Sequence, residues 1–243
     1  MRRACKIGWV VVVLALLQAC ASTSPVAGGK PDARDPWEDM NRKVFAFNEK
    51  LDQAVMRPVA QAYVDVVPSF MRAGVRNFLS NLGDVWTAVN ATLQFKGQAA
   101  VETIMRLAVN STFGFYGVLD IATQAGIPKH KEDLGQTLGH WSIQPGPYLV
   151  LPVLGPSTLR DTAGMSVDVS PSQYFSDSKT RTGLTLLSAT ESRARLLNVG
   201  ETVRAASLDP YSFVREGWLQ KRQSDVYDGN PPSTFDYADP AAP

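Results

Sequence analysis

The residue best placed for covalent chemistry in this sequence is Cys20, one of only two cysteines. Three basic residues near the N-terminus and a nearly unbroken apolar run from Ile7 to Leu17 precede it, and it is followed by Ala21, Ser22, Thr23 and Ser24. This order of basic, apolar and small residues is typical of an export signal that is removed by cleavage. The apolar run is too short to span a bilayer. We therefore expect residues 1–19 to be a signal peptide.

The four residues that end at the predicted cleavage site resemble a bacterial lipobox. Leu17, Ala19 and Cys20 fit the pattern, and Gln18 fits it less well. A lipobox cysteine carries diacylglycerol on its sulfur and another acyl chain on its amine. Because each buried methylene contributes about 0.8 kcal/mol, several chains hold a protein on a membrane. The alternative is an ordinary signal peptide followed by an accidental cysteine.

The charge and the remaining reactive residues exclude several kinds of site. The chain has a net charge of +1, and removal of residues 1–19 takes away three basic and no acidic residues, which leaves −2. No basic field remains that would hold nucleic acid. Once Cys20 is acylated no free thiol is left, so disulfides and cysteine metal sites are excluded. His130 and His140 lack the spacing of a zinc site.

The sequence contains no motif that indicates an enzyme. We find no nucleophile elbow, Walker loop, dinucleotide fingerprint or EF-hand. Aspartate and glutamate are scattered, mostly at positions where helices could begin or on their solvated faces. No catalytic residue, metal or cofactor is therefore predicted.

The first predicted helix follows a sequence that is typical of a helix start. Asp35 is expected to cap it, Pro36 to occupy its first position and Glu38 to close a capping box. Apolar residues then recur with helical spacing and give the helix one apolar face. It should end near residue 56, because Arg57 precedes a proline and such residues avoid the helical region.

The same signals predict a helical domain over residues 35–222. Gly83 is expected to interrupt a helical stretch, and Asp209-Pro210 repeats the cap-and-proline start. The further helices are expected at residues 58–63, 68–82, 84–95, 98–110, 158–167, 182–197 and 209–222.

Two segments outside this domain differ from it in composition. Residues 20–34 are rich in small residues and predict a flexible tether between the lipid and the domain. Residues 223–243 are polar, acidic and proline-rich, which predicts a disordered tail.

Glycine and proline are concentrated in residues 135–161, which predicts a long loop or hairpin of the kind that usually has a function. Pro145-Gly146 suits the centre of a type II turn, so we expect a hairpin over residues 138–151. Its expected cross-strand pairs are Ile143–Tyr148 and Trp141–Val150, with Gly139 as a hinge. A lone two-stranded ribbon is marginally stable, so it could shift between supports and act as a gate. The alternative is a static loop.

Short motifs occur in a fixed order along nearly the whole mature chain. They are Asp35-Pro36-Trp37-Glu38-Asp39-Met40-Asn41-Arg42, Phe47-Asn48, Arg57-Pro58-Val59-Ala60, Asn77-Phe78, Leu134-Gly135-Gln136-Thr137-Leu138-Gly139-His140-Trp141, Gly146-Pro147-Tyr148, Thr158-Leu159-Arg160-Asp161, Glu191-Ser192-Arg193-Ala194 and Asp209-Pro210-Tyr211. Together they resemble the MlaA (VacJ) lipoprotein family. So many ordered matches are more specific than any single motif.

The resemblance implies an all-α fold, a ring-like arrangement of short amphipathic helices with one Gly/Pro-rich hairpin or loop. It implies a lipid-anchored protein in the periplasmic leaflet of the outer membrane, bound to a trimeric porin. Such proteins remove mislocalised phospholipid from the outer leaflet through a central amphipathic pore and pass it to a periplasmic phospholipid carrier. This maintains the lipid asymmetry of the outer membrane.

A phospholipid that crosses a leaflet must carry its charged headgroup past hydrocarbon, which is costly unless polar groups replace water. The ring would therefore need polar residues inside and apolar residues outside. The candidates for the lipid path or its gate are Asn41, Phe45, Phe47, Asn48, Arg57, Gly139, Trp141, Gly146, Tyr148, Arg160 and Asp161.

Two other classes of function remain open from the sequence. One is a phospholipase that faces the periplasm, and the other is a passive scaffold that links porins to another part of the envelope. Release of fatty acid would identify the phospholipase, because a transporter leaves the lipid intact.

The lipobox yields a prediction about the anchor. The Cys20→Ala variant should no longer be labelled by a palmitate analogue, because its acceptor sulfur is gone, and it should be soluble or retained at the inner membrane. Fractionation of labelled cells measures both effects. Continued labelling of the variant would show that Cys20 is not the acylated residue.

Overall fold

The computed structural model describes residues 32–199 and 207–232. The predicted signal peptide, Cys20, the tether up to residue 31 and the tail from residue 233 lie outside the described residues.

The described chain is mostly helical and has one small antiparallel hairpin. Its elements are α1 (Glu38–Leu51), a π-helix (Asp52–Met56), α2 (Arg57–Val66), α3 (Ser69–Leu93), α4 (Gly97–Thr112), α5 (Ile121–Gln124), α6 (Leu134–His140), β1 (Tyr148–Leu151), β2 (Gly155–Thr158), α7 (Leu159–Met165), a 3₁₀ helix (Pro171–Tyr174), α8 (Ser178–Arg195) and α9 (Pro210–Val226). Residues 197–199 are also helical.

Contacts between these elements form a closed circuit. α1 packs on β1, β1 pairs with β2, β2 contacts α7, and α7 packs on α6. The circuit continues from α6 to α3, α8 and α2, and returns through the π-helix to α1. The helical hairpin of α3 and α4 carries α5, and α9 contacts α6 and β2. Among the described helices, none is long and apolar enough to cross a membrane.

The start of α1 differs from the predicted cap. The helix begins at Glu38, and Trp37 at the N-cap position makes no side-chain cap bond. The Asp35 carboxylate instead accepts hydrogen bonds from Asn41 and Arg215. A guanidinium is a stronger partner for a buried carboxylate than a helix amide is, because it supplies an opposite charge. The predicted capping box is therefore wrong.

The first helix also continues past the point where it was expected to end. The N–H of Arg57 bonds to the carbonyl of Asp52, five residues earlier, and α2 follows directly with Pro58 at its second residue. Arg57 has φ −64° and ψ −51°, in the right-handed helical region. A proline inside a continuous helix lacks the N–H of one hydrogen bond, and a π-turn locally shifts the hydrogen-bond pattern of a helix. The π-turn before Pro58 therefore accommodates the proline without ending the helix.

The predicted interruption at Gly83 is absent, because α3 is one helix of 25 residues. Glycine inside a helix costs only about 1 kcal/mol relative to alanine. Leu79, Ala88 and Ala91 of the same helix are buried, and the burial of one such apolar face outweighs a cost of that size. Packing therefore decides the length of α3.

The hairpin has a different register from the predicted one. Tyr148 pairs with Thr158 and Leu151 pairs with Gly155, so the turn lies at residues 152–154. Gly146 has the positive φ (+67°) expected after Pro145, but it precedes the hairpin. The predicted pairs of Tyr148 with Ile143 and of Val150 with Trp141 are wrong, because Tyr148 and Val150 face β2 instead.

The first half of the predicted loop contains the helix α6, which packs closely at two glycines. A Cβ on Gly135 would lie 2.4 Å from Arg222 Nη2 and from Asp161 Oδ1, and one on Gly139 would lie 2.7 Å from Arg160 Nη1. Side chains at these positions would displace charged groups that are themselves paired. Gly139 is thus a helix-packing residue inside α6, and it does not lie at the base of the observed hairpin.

An ion-pair cluster joins α6 to α7 and α9. Arg222 on α9 donates hydrogen bonds of 2.6 and 2.8 Å to Asp133, which caps α6, and one of 2.9 Å to Asp161 on α7. Burial alone would raise the pKa of the Asp133 carboxyl, but the Arg222 guanidinium and the Gln136 amides lower it to about 2. The folded state therefore favours the ionised carboxylate.

This cluster predicts a pH-dependent loss of stability. Because the folded pKa of Asp133 lies below its ordinary value of 3.8, its stabilisation is complete above about pH 4 and is lost as the pH falls towards about 2. Asp133→Asn keeps a capping oxygen but loses the charge, and it should reduce the free energy of unfolding at pH 7 by about 2 kcal/mol. Denaturant unfolding of both proteins from pH 7 downwards should show the difference shrinking below about pH 4. A difference that stays constant across this range would contradict the assignment.

Candidate functional site

An open cavity of about 490 Å³ lies between α1, the hairpin and the ends of α8 and α9. This volume is within the range of about 300–1,000 Å³ that is usual for sites of small molecules. Most of its wall is apolar, and the polar groups are few. The lining residues are Phe45, Asn48, Glu49, Leu51, Asp52, Met56, Val150, Val153, Gly155, Pro156, Arg193, Leu196, Val199, Pro210 and Val214.

Two asparagines on α1 hold the hairpin against the cavity. Asn41 Nδ2 donates to the carbonyl of Tyr148 (3.1 Å), and Asn41 Oδ1 accepts from the N–H of Val150 (2.8 Å). Three residues further along the chain, Asn48 donates to the carbonyl of Leu151 (2.9 Å) and accepts from the N–H of Val153 (2.8 Å). Seven helical residues rise about 10.5 Å, and three strand residues rise about 10 Å. The two carboxamides therefore match the free edge of β1 and replace a third strand.

Asn41 is also connected to Asp35, near the start of the domain, and through Asp35 to α9. Its Nδ2 donates to Asp35 Oδ1 (2.7 Å), and Asp35 Oδ2 accepts from Arg215 (3.0 Å) and from the Tyr211 hydroxyl. Burial, together with the negative charge of Asp35, raises the pKa of the Tyr211 hydroxyl, so this group is a donor at neutral pH. The cluster fixes α9 to α1 beside the hairpin.

An aromatic cluster forms the wall behind these hydrogen bonds. The rings of Phe45 and Tyr148 both meet Tyr211 edge to face, at centroid distances of 5.7 and 6.3 Å, and Tyr148 also meets Trp218. Such pairs favour a fixed mutual orientation. Phe45 is the member of this cluster that reaches the cavity.

Two of the charged residues in the cavity wall form an ion pair. Arg193 on α8 donates two hydrogen bonds to Asp52 of the π-helix, the longer of them 2.8 Å. These bonds raise the pKa of Arg193, which keeps it cationic. The pair places a fixed dipole beside an apolar wall, an arrangement that suits an amphipathic ligand.

The structure places the residues predicted to line the path in several different environments. Phe45 and Asn48 do line the cavity. Asn41, Tyr148, Arg160 and Asp161 are buried. The side chains of Asn41, Arg160 and Asp161 form hydrogen bonds within the protein, whereas the Tyr148 hydroxyl has no hydrogen-bond partner among the described residues. Phe47 and Trp141 are half exposed, at 52% and 50%. Gly146 lies against Leu159. Arg57 follows the π-helix, and Gly139 packs inside α6.

Sequence reasoning missed other residues of the cavity. Asp52 and Arg193 are 141 positions apart, and no spacing rule connects them. Arg193 belongs to the motif Glu191-Ser192-Arg193-Ala194, which was the only signal available for it. Val214 and Leu196 complete the wall from helices whose apolar faces could have been assigned to core packing alone.

Comparisons with known proteins agree with the resemblance seen in the sequence. A family model described as MlaA lipoprotein matches residues 33–225. The intermembrane phospholipid transport system lipoprotein MlaA of Escherichia coli (strain K12) is 35% identical over 211 residues, which cover 85% of this chain and 82% of that protein. The protein of the same name from Haemophilus influenzae is 28% identical over 231 residues, which cover 90% of this chain and 91% of that protein.

Relatives of similar identity also occur in Rickettsia. A protein of Rickettsia felis is 34% identical over 195 residues, which cover 79% of this chain and 78% of that protein. A solved structure, described as "Structural basis for maintenance of bacterial outer membrane lipid asymmetry", matches with a TM-score of 0.70 at 35% identity and covers 81% of this chain and 99% of that chain. The all-α fold class predicted from the sequence is confirmed, and the chain belongs to the MlaA lipoprotein family.

Proposed function

We propose that this protein removes mislocalised phospholipid from the outer leaflet of the outer membrane and that the cavity between α1 and the hairpin is part of the lipid path. The observation that carries the proposal is the composition of this cavity, an apolar wall with a few fixed polar groups. Acyl chains are stabilised by such a wall, and Asn48 with the Asp52–Arg193 pair offers polar contacts to a headgroup. The closed circuit of contacts among the helices and the hairpin, several of which line the cavity, supports a path through a ring.

The proposed setting is the periplasmic leaflet of the outer membrane, with Cys20 as the lipid anchor. The relatives from Escherichia coli and Haemophilus influenzae are named as lipoproteins of an intermembrane phospholipid transport system, which supports this assignment. The proposed partners are a trimeric outer-membrane porin, which would hold the ring in the membrane, and a periplasmic carrier protein, which would receive the lipid. The domain that carries the path would comprise residues 35–222, with α9 extending to Val226.

Transport without catalysis is the chemistry that the cavity supports best. Its polar side chains are a carboxamide, two carboxylates and one guanidinium, and one carboxylate is paired with that guanidinium. A phospholipase would need a nucleophile with a base in hydrogen-bond reach, and the lining residues contain no serine, cysteine or histidine. A passive scaffold would not need the cavity.

Blocking the cavity gives a direct test. Val214→Trp would place a large side chain in the wall, so phospholipid should accumulate in the outer leaflet. A membrane-impermeant amine reagent that labels exposed phosphatidylethanolamine measures this in intact cells. Val167→Trp is the matched control, because Val167 is exposed and does not line the cavity. Normal lipid asymmetry in cells with folded Val214→Trp would show that the cavity is not part of the lipid path.

We further propose that the hairpin tip is the movable part of the path. Val153 at the tip is 66% exposed and has a φ of +68°, a region that β-branched residues rarely adopt. Strain of this kind persists only where the surroundings hold it and is frequent at switch regions. Asn48 supplies that hold, because it bonds to Leu151 at the end of β1 and to Val153 within the turn. Release of these two bonds would free the tip from α1.

The Asn48→Leu variant tests the hold of α1 on the tip. It removes two hydrogen bonds worth about 1 kcal/mol each, so exchange of the Val153 amide should be about 30-fold faster. Hydrogen exchange of the mature protein measures this, and lipid asymmetry should change in the same cells. Asn77→Leu is the control, since Asn77 donates only to the carbonyl of Val118. Unchanged Val153 exchange in Asn48→Leu would show that another contact holds the tip.

A further inference from the structure

A separate cavity of about 230 Å³ lies between the beginning of α3 and the end of α8. Its lining residues differ from those of the cavity beside the hairpin, and three of the six are arginines. They are Ser69, Arg72, Arg76, Glu191, Ala194 and Arg195. The two cavities share no lining residue.

The cationic groups in this cavity exceed what its one carboxylate needs. Glu191 is 4% exposed, and its Oε1 lies 3.9 Å from Arg76 Nη1 and 3.6 Å from Arg195 Nε. Neither contact is a hydrogen bond, and this buried oxygen accepts none from the described residues. Arg72 forms no ion pair with the described residues, and its Nε donates to the carbonyl of Val67. Three positive charges therefore face one negative charge.

A buried donor without a partner lies near the same groups. The hydroxyl of Tyr63 on α2 is buried and has no hydrogen-bond partner in the described structure. Burial and the charge of Glu191 raise the pKa of this hydroxyl, and Arg72 and Arg76 act in the opposite direction. It therefore remains protonated at neutral pH. A buried hydroxyl that is left unpaired costs stability, so this region holds an unused hydrogen-bond donor beside the arginines.

The corner beside this cavity exposes apolar side chains. Val66 is 78% exposed, Phe70 is 75% exposed and Met71 is 51% exposed, and they adjoin Ser69 and Arg72 in sequence. Apolar residues next to arginines are typical of a surface that lies in the interfacial region of a membrane, where the apolar groups meet acyl chains and the cations meet phosphates.

We propose that this arginine cavity binds the phosphate group of a membrane phospholipid and that the site is distinct from the path for the transported lipid. Guanidinium groups suit phosphate oxygens because they donate in a planar fork. Arg72 is the principal ligand, since it has no carboxylate to neutralise, and Arg76 and Arg195 add charge from the two sides. The lipid would orient the corner of α2 and α3 on the leaflet. This inference rests on the proposed lipid anchor but does not depend on transport.

Binding of short-chain phosphatidylglycerol to the mature, acylated protein in non-ionic detergent tests the site, with native mass spectrometry to count bound lipids. Arg72→Gln should weaken the binding of one lipid by about tenfold or more, the effect of losing a charge-assisted hydrogen bond. Lys43→Gln is the matched control, because Lys43 is an exposed cation on α1 that does not line either cavity. The affinity of Lys43→Gln for phosphatidylglycerol should equal that of the unmodified protein.

A second variant separates binding from a purely structural role. If the arginines served only to neutralise Glu191, Glu191→Gln would leave lipid binding unchanged. In a phosphate site the same variant removes a repulsive charge and should tighten binding. Thermal unfolding of each variant confirms that it is folded before binding is measured. Equal affinities of folded Arg72→Gln, folded Glu191→Gln and unmodified protein would overturn the proposal.

Two further probes identify the source of the phosphate. Short-chain diacylglycerol has the same acyl chains without a phosphate and should not bind at this site. Inorganic phosphate should compete only weakly. Competition as strong as that of phosphatidylglycerol would show that the ligand of this site is a free phosphate anion and not a lipid. Val214→Trp should leave the Arg72-dependent binding intact, so failure of the transport cavity and failure of this site are distinguishable.

Discussion

A buried carboxylate near the start of the domain, Asp35, is the group on which the arrangement of the hairpin site depends. Its side chain is fully buried and is held by Arg215, by the Tyr211 hydroxyl and by Asn41. Removing a carboxylate from water costs several kcal/mol unless an opposite charge and hydrogen bonds compensate. All three compensating groups come from helices that must be in place at the same time. The carboxylate thus couples the beginning of the chain to α9, although about 180 residues separate them.

The hydrogen-bond network of Asp35 continues to the hairpin through side-chain carboxamides, which bond to its backbone as the peptide groups of a neighbouring strand would. A two-stranded ribbon is marginally stable alone because each strand has a free edge. Here one edge of β1 is covered by the carboxamides of Asn41 and Asn48 and by the carbonyl of Arg34, which accepts from the N–H of Tyr148. The two asparagines do not contribute equally. Asn41 is buried and bound to Asp35, whereas Asn48 lies in the cavity wall. The base of the ribbon is therefore fixed more firmly than its tip.

The parts of this structure that could be predicted from the sequence are those determined by interactions between residues that are close together in the chain. The start of α9 is an example, because Asp209 caps it and Pro210 occupies its first turn. Local rules failed where distant residues compete. Asp35 has the same aspartate-proline sequence, but Arg215 and Asn41 bind its carboxylate and the helix begins later. Pro58 lies inside a helical segment because a π-turn directly before it accommodates its missing N–H. Gly83 lies inside α3 because packing outweighs its modest local cost.

The hairpin shows why the site itself was harder to predict. Pro145-Gly146 satisfies the rules of a turn, but those rules cannot tell a turn within a hairpin from a turn before one. The observed register depends on Asn41 and Asn48, which lie about 100 residues earlier in the chain. From the sequence these asparagines are predicted to line a lipid path, because a charged headgroup needs polar groups along the pore that the family resemblance implies. Their spacing of seven residues was the missed signal, since it matches the distance along a strand edge.

The two cavities differ in a way that follows from how their charges are neutralised. Beside the hairpin, Arg193 is bonded to Asp52, so its charge is already compensated and the apolar wall dominates. Beside α3, Arg72 has no such partner among the described residues, and Glu191 is shared between two arginines at distances too long for hydrogen bonds. A site that must release its ligand needs weak polar contacts, because a fully paired phosphate would be held too tightly to move. A site that orients a protein on a membrane has the opposite requirement, and excess cationic charge meets it. One chain can therefore bind phospholipid in two ways. An arginine that is paired with a carboxylate binds the phosphate weakly, and an arginine without such a partner binds it tightly.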